Sequence, residues 1–459
     1  MGRLDYVHGN ITKLLYLTFI PMLIASIVNV VMVVSQAVFI GQVGGEAVNI
    51  RGFYLPISFF MTALLEAMQL STQVVLAKRK GAGQQKQIAQ SFYRFLFFGL
   101  LLMGMFGVLI IVTLPLLTTF FGVDAAYAGL FQRFVSGMVV VELIVVMNIV
   151  IAASLRALGK VNIASFIAVM GSVLNIALMY YFILVRGMGL QGIVLAFLIT
   201  SSLQFIASYS YIVWLKEIPI GFPRGIRGKD EMVTAILRGV GVPVFLSYCS
   251  ITLGLLLFNL IMESFGDVAV GGYGAAYSIQ TLVIIPGILL GSAMGIVMNQ
   301  NLGSGKLERV FAVYKKGILQ AFYFYLPLSL FVFLLREPLA SVFFRAADRE
   351  VFLPYAVGYL AIVAPTYLFM GPMLTTLITL EQMGKGMKAL GMNLTYFLLI
   401  ALLGWAVTTW TNDVSSFYWT VAFCNLIGIS GLYYGYRLMH AEFSVSRQEG
   451  EEKEMVSGA

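Results

Sequence analysis

The sequence predicts an all-α integral membrane protein with twelve transmembrane helices in two pseudo-symmetric six-helix lobes. Three observations predict it: apolar runs that continue almost end to end, a one-sided distribution of basic residues, and an internal repeat. Hydrophobic residues make up 60% of the chain and charged residues 11%, less than half the roughly 25% usual in soluble domains. A soluble chain of 459 residues would divide into domains separated by polar linkers. Here the polar stretches are too short for that.

A span needs about 20 mainly apolar residues to cross roughly 30 Å of hydrocarbon. Runs at 14–41, 52–76, 92–115, 128–154, 161–185 and 189–214 supply the first six. Runs at 240–264, 271–298, 316–335, 351–380, 387–411 and 415–438 supply the second six. The first thirteen residues hold Arg3, Asp5, His8 and Lys13, too polar for a signal-peptide core, so the first span is expected in the mature protein. Cys249 and Cys424 both fall inside spans and fit neither a disulfide framework nor a metal-ligand spacing. No metal and no cofactor are therefore expected.

The net charge of +8 reports topology, and no nucleic-acid partner is expected. With the amino terminus in the cytoplasm, the cytoplasmic segments gather most of the 29 Lys and Arg. Lys78-Arg79-Lys80, Arg156, Lys160, Arg224, Arg227, Lys315, Lys316 and Lys385 are among them. The opposite loops hold Arg51, Arg133, Arg186, Arg336, Arg345 and Arg349. This is the positive-inside pattern. It predicts a multi-pass protein of the cell membrane with both termini cytoplasmic.

The repeat is read from offsets. A shift of 222 maps Pro21 onto Pro243, Gly44 onto Gly266, Ala47-Val48 onto Ala269-Val270, and Gly81-Ala82-Gly83 onto Gly303-Ser304-Gly305. A shift of 225 maps Leu155 onto Leu380 and Gly159-Lys160 onto Gly384-Lys385. Six spans separate the copies, so the halves enter the bilayer from the same side as parallel repeats. The expected organisation is an amino-terminal lobe over 1–215, a cytoplasmic linker over 216–238, a carboxy-terminal lobe over 239–440 and a disordered tail over 441–459. Pro21 and Pro243 are candidate helix-bending points. Two bundles that rock against each other expose a central site to alternate sides, which favours a carrier over a channel or an enzyme.

Polar groups inside the spans mark the candidate site. Glu66 and Glu142 are the two acids deep in spans, and no basic residue is comparably deep in this reading. A charge at the bilayer centre costs on the order of 2.5–3.5 kcal/mol. Thr62, Glu66, Gln69 and Gln73 share one helical face by their spacing, as do Asn29 with Gln36 and Thr200 with Gln204 and Ser208. Asn175 lies in the fifth span, and Gln280 is among the few deep polar groups of the second half. Two readings of the acids stand. Either they bind a proton or cation that exchanges with a small-molecule substrate, or each is a protonated acid bonding neighbouring helices for about 1 kcal/mol.

The residues that carry a family resemblance are Ile20-Pro21-Met22, Phe39-Ile40-Gly41-Gln42-Val43-Gly44, Gly81-Ala82-Gly83 and Leu155-Arg156-Ala157-Leu158-Gly159-Lys160. To these are added Asn175, Gly187-Met188-Gly189-Leu190-Gln191-Gly192 and Gln300-Asn301-Leu302-Gly303-Ser304-Gly305. Over nearly its whole length the chain resembles the multidrug and toxic compound extrusion (MATE) family. The resemblance implies twelve helices in two lobes forming a V, and efflux of organic, often cationic, compounds driven by proton or sodium influx. A monomer in the lipid bilayer is expected.

The family's cation site is altered here. Its first-helix aspartate position is Gln36, its fifth-helix aspartate position is Met179, and its sixth-helix threonine position is Phe197, leaving Asn175 of that set. No acid lies between Pro243 and Met262, where other branches carry one. Glu66, Glu142 and Asn175 are the coupling candidates. Asn29, Gln36, Gln69, Gln73, Met179, Thr200, Gln204 and Gln280 are the candidates for the cavity wall. Either the acids form a relocated site, or coupling is absent or carried by the substrate. The competing functions are a flippase or exporter of a lipid-linked or anionic precursor, and a diverged member without ion coupling. An enzyme is disfavoured, because no nucleophile–base pair or metal-ligand cluster is visible.

Overall fold

A computed structural model describes residues 4–216, 218 and 230–457, with side chains through Ala441. The described residues are helices and turns, without a strand. The first six spans are α1 (Ile11–Val43), α2 (Gly45–Gly81), α3 (Gln85–Phe120), α4 (Ala125–Ala157), α5 (Val161–Val185) and α6 (Gly189–Trp214). They are followed by α7 (Glu231–Glu263), α8 (Asp267–Gly303) and α9 (Leu307–Leu334). The apolar stretch Arg349–Thr411 is two spans, because the backbone leaves the helical path at Gly384, φ 78°. We number them α10 (349–380) and α11 (Gly386–Thr411). The last helix, α12 (Ser415–Ser457), completes the twelve.

The repeat landmarks are places where the chain must turn. Gly83 and Gly305 have φ of 69° and 75°, and Gly159 and Gly384 have φ of 80° and 78°. A side chain at such an angle costs roughly 1–2 kcal/mol, so glycine recurs at the same place in each half. Pro21 lies inside α1. Pro243 follows a π-helical turn over Leu237–Gly241, a local rewinding that accommodates the missing N–H and the ring's clash with the preceding turn. Pro365 sits in the 3₁₀ turn Ala364–Thr366 that interrupts α10.

Two segments differ from expectation. Of the linker expected over 216–238, residues 217 and 219–229, with Pro219, Pro223, Arg224 and Arg227, lie outside the described residues. Asp230 begins the cap of α7, and residues 231–238 already belong to that helix. The tail expected to be disordered continues α12 as helix to Ser457. Its Gln, Glu and Lys residues are strong helix formers and no proline interrupts them.

The chain divides into two compact units. The first holds residues up to Tyr6 with Leu17–Phe245, and the second holds Val7–Tyr16 with Leu246 onward. The start of α1 thus belongs to the second unit, where Arg309 donates to the Gly9 carbonyl and Gln320 Nε2 to the Thr12 carbonyl at 3.2 Å. The start of α7 belongs to the first. Within the second unit, glycines let α8 approach α10 closely. A Cβ on Gly291 would lie 2.9 Å from the Thr375 carbonyl oxygen, and one on Gly287 would lie 3.2 Å from that of Gly371. Small residues of this kind set helix packing in membranes, where no hydrophobic force drives helices together. Apolar side chains such as Val112, Leu116 and Leu330 face outward, the surface a bilayer accepts.

Candidate functional site

The two acids and the α5–α6 polar groups expected in the first unit lie in three places. The first is a relay between α2 and α4. Glu66 and Gln69, one turn apart on α2, are joined by Gln69 Nε2 donating to Glu66 Oε2 at 2.9 Å. Arg156, in the last turn of α4, donates from Nη2 to Gln69 Oε1 at 2.8 Å. The guanidinium and the carboxylate also attract each other electrostatically. The bridging amide therefore offers its N–H to the anion and its oxygen to the cation, the only orientation in which both its ends bond favourably. Arg156 was expected at the membrane face as a topology signal. Its hydrogen bond to Gln69 brings that charge to the face of α2 that carries Glu66.

The second place is Glu142, at the middle of the 33-residue α4. Its Oε2 is buried without a hydrogen-bond partner. Tyr54 of α2 lies within electrostatic reach of it and packs edge-on against Phe134 at 5.3 Å. Glu66 and Glu142 make no interaction with each other in this structure. The two acids therefore occupy different environments: one has a cation and an amide donor, the other an oxygen that no donor reaches.

The third place joins α5 and α6. Asn175 Nδ2 lies 3.4 Å from Thr200 Oγ1, and both residues are buried. The Asn175 Oδ1 is buried without a partner. Gln204 Nε2 lies 3.4 Å from the Ile167 carbonyl, with its side chain over Gly171. Met179 is fully buried. Of the α1 pair, Gln36 is half-buried and Asn29 exposed. Gln73 is buried on α2, while Thr62 faces outward with its hydroxyl bonded to the Ser58 carbonyl. Gln280, in the second unit, is buried within the core, its amide oxygen accepting from the hydroxyls of Tyr359 at 2.5 Å and Tyr367 at 3.4 Å.

Sequence reasoning missed a buried ion cluster and a further buried acid. In the first unit Arg79 donates from Nη2 to both Asp230 oxygens at 2.8 Å, and Arg94 forms a second ion pair with the same carboxylate. Arg79 also bonds the Gln87 carbonyl at 2.8 Å and the Ser91 hydroxyl. Asp230 accepts the Val233 N–H at 3.3 Å and so caps α7. Its side chain is 8% exposed. Burial alone would raise its pKa, but the hydrogen bond and charge of Arg79, the Val233 N–H and the Arg94 charge outweigh that and hold it below the usual carboxylate range. In the second unit Glu381 is buried at 4% exposure and accepts from the Ser247 hydroxyl at 3.1 Å. Glu381 stands 225 residues after Arg156, so the repeat places opposite charges at equivalent helix ends. An arginine three residues inside a span, as Arg94 is, was a legible sign of a buried counter-ion.

Comparisons with known proteins agree with this architecture. The MatE family model matches residues 21–181 and 243–406, one stretch in each repeat. The Probable multidrug resistance protein YpnP of Bacillus subtilis is 24% identical over 314 residues, 68% of this chain and 69% of that one. The FAD transporter of Shewanella oneidensis is 22% identical over 421 residues, 88% and 90% of the two chains. Among solved structures, MATE in complex with MaL6 matches with a TM-score of 0.89 at 20% identity, covering 95% of this chain and 98% of that one. An outward-facing multidrug resistance MATE family transporter of the MOP superfamily gives 0.88 at 20% identity, covering 95% and 97%.

Proposed function

The chain belongs to the MatE family, and on that premise we propose that it exports small organic compounds by alternating access, coupled to proton or sodium influx through Glu142. The observation that carries the reading is the buried Glu142 oxygen without a donor at mid-helix. A bare carboxylate there is costly by several kcal/mol. A proton, a cation or a cationic substrate each removes that cost, so the three compete for one group. Competition of this kind is what exchange needs: arrival of one species lowers the affinity for the other by the same factor. Glu66 has a different role in this reading. Gln69 and Arg156 already satisfy its charge, so it joins α2 to α4 instead of titrating through the cycle.

The test is efflux of a cationic dye from proteoliposomes under a proton gradient and, separately, a sodium gradient. Glu142→Gln is expected to reduce the gradient-driven component by about tenfold, with Glu66→Gln keeping most of it. Gradient-driven efflux unchanged in Glu142→Gln would remove Glu142 from the mechanism.

A second reading, export of an anionic compound, is favoured by Arg156, a cation within the first unit's polar groups, and by the likeness to the FAD transporter. Parallel assays with an anionic cargo separate the two. Anion efflux that depends on Arg156, with no cationic dye moved, would favour the second.

A further inference from the structure

The second unit contains a cavity that the transport reading does not use. It is a slot of about 470 Å³ between α11 and α12, floored by Met373 of α10. From Lys388 at one end to Leu399 at the other is eleven residues of α11, about 16 Å at 1.5 Å per residue. Because α11 and α12 are joined by the short turn 412–414, Lys388 and Tyr434 line the end away from that turn, the mouth, and Leu399 and Cys424 the inner end.

The chemistry of the wall is apolar although several lining residues are polar. The Thr395 hydroxyl bonds the Gly391 carbonyl at 2.8 Å and the Ser430 hydroxyl bonds the Ile427 carbonyl at 2.7 Å. Hydroxyls turned back onto their own helix present their carbon side to the slot. The Tyr396 hydroxyl is engaged at the inner end by Asn425 at 2.7 Å. Met373 and Met392 supply pliable thioether walls. Space is left by Gly391: a Cβ there would meet nothing within 4 Å. Glycine inside a helix is unfavourable by about 1 kcal/mol against alanine, and here neither packing nor backbone angle requires it. One charge remains. Lys388 is exposed and makes no ion pair among the described residues.

Measured along α11 from its first turn, the apolar slot is about 16 Å long, roughly half of a 30 Å hydrocarbon core and so the depth of a single leaflet. A cation at the mouth and hydrocarbon walls below match one class of molecule. We infer that the slot is a binding site for an anionic phospholipid, with one acyl chain between α11 and α12 and its phosphate on Lys388 and the Tyr434 hydroxyl. The site is independent of how transport is coupled, because it lies wholly in the second unit and shares no residue with the Glu142 or Glu66 groups.

The test is native mass spectrometry of the delipidated full-length protein titrated with phosphatidylglycerol or phosphatidylcholine. Wild type is expected to retain one phosphatidylglycerol in preference to phosphatidylcholine. Lys388→Ala is expected to reduce that preference about fivefold, the worth of one basic residue near a lipid phosphate, while Lys388→Arg keeps it. Gly391→Phe, which fills the slot, is expected to lose the bound lipid of either kind. Lys388→Ala changes only an exposed side chain and so remains informative if Gly391→Phe does not fold. Equal retention of the two lipids by wild type, or a preference unchanged in Lys388→Ala, overturns the proposal. So does a change of oligomeric state without loss of lipid, which would mark the slot as a contact between copies.

Discussion

Glu142 and Glu66 have the same side chain and different partners, and the difference assigns them different work. An amide stands between Glu66 and Arg156 and bonds both, so removing either charged end leaves the other poorly compensated. Glu66→Gln and Arg156→Gln are each expected to lower thermal stability in detergent. The double variant should recover part of the loss, with a coupling of about 0.5–3 kcal/mol. Additive losses would show that Gln69 does not link the pair. For Glu142 the expectation is reversed: Glu142→Gln should leave thermal stability unchanged or higher, because it removes a charge that no donor compensates.

At the scale of the element, the start of α7 is held by one carboxylate between two arginines. Asp230 has side-chain exposure of 8%, and Arg79 and Arg94 have 5% and 8%. Breaking such a buried group by removing one partner costs about 3–5 kcal/mol, so Asp230→Asn should lower the melting temperature clearly at neutral pH. The sign of the pH effect follows from the direction of the shift. A carboxyl whose folded pKa is depressed contributes stability above its unfolded pKa of about 4 and loses it as pH falls through the lower folded value. Stability is therefore expected to hold from neutral to about pH 5, and this part of it to fall only below about pH 4. A loss between pH 7 and 5 that Asp230→Asn abolishes would contradict the assignment. The helix turns offer a second comparison. Gly159→Ala meets Tyr6 at 3.3 Å as well as a positive φ, whereas Gly384→Ala meets only the φ. Both should destabilise by at least about 1 kcal/mol, Gly159→Ala the more of the two in thermal unfolding.

For the whole molecule, the distribution of basic residues predicts which side each loop faces. On a cysteine-free background, Arg186→Cys is expected to react with a membrane-impermeant maleimide in intact cells. Lys306→Cys should react only after the membrane is opened. The opposite pattern would invert the orientation without altering the fold. The fold was legible because membrane insertion is governed by quantities that are local in sequence: hydropathy over about 20 residues, and Lys and Arg counted loop by loop. The turns were legible too. A left-handed backbone angle selects glycine one residue at a time, so Gly83, Gly159 and their copies in the second half stood out by offset alone.

Partnership is not local. Arg156 lies 87 residues from Gln69, and Asp230 lies 151 from Arg79. No periodicity carries such distances, so spacing on α2 showed that Glu66 and Gln69 share a face but not what that face meets. The segment expected as a cytoplasmic linker supplies, at Asp230, the anion that the two buried arginines bond. A glycine at 391 among apolar residues reads as ordinary helix until α12 and α10 are seen to leave it facing open space. The sequence by itself determined the class of fold, the number of spans and the repeat, because a bilayer judges each segment separately. Which carboxylate is neutralised and which is left without a donor was decided only by the packing of helices, because that depends on what distant segments bring to the same few ångströms.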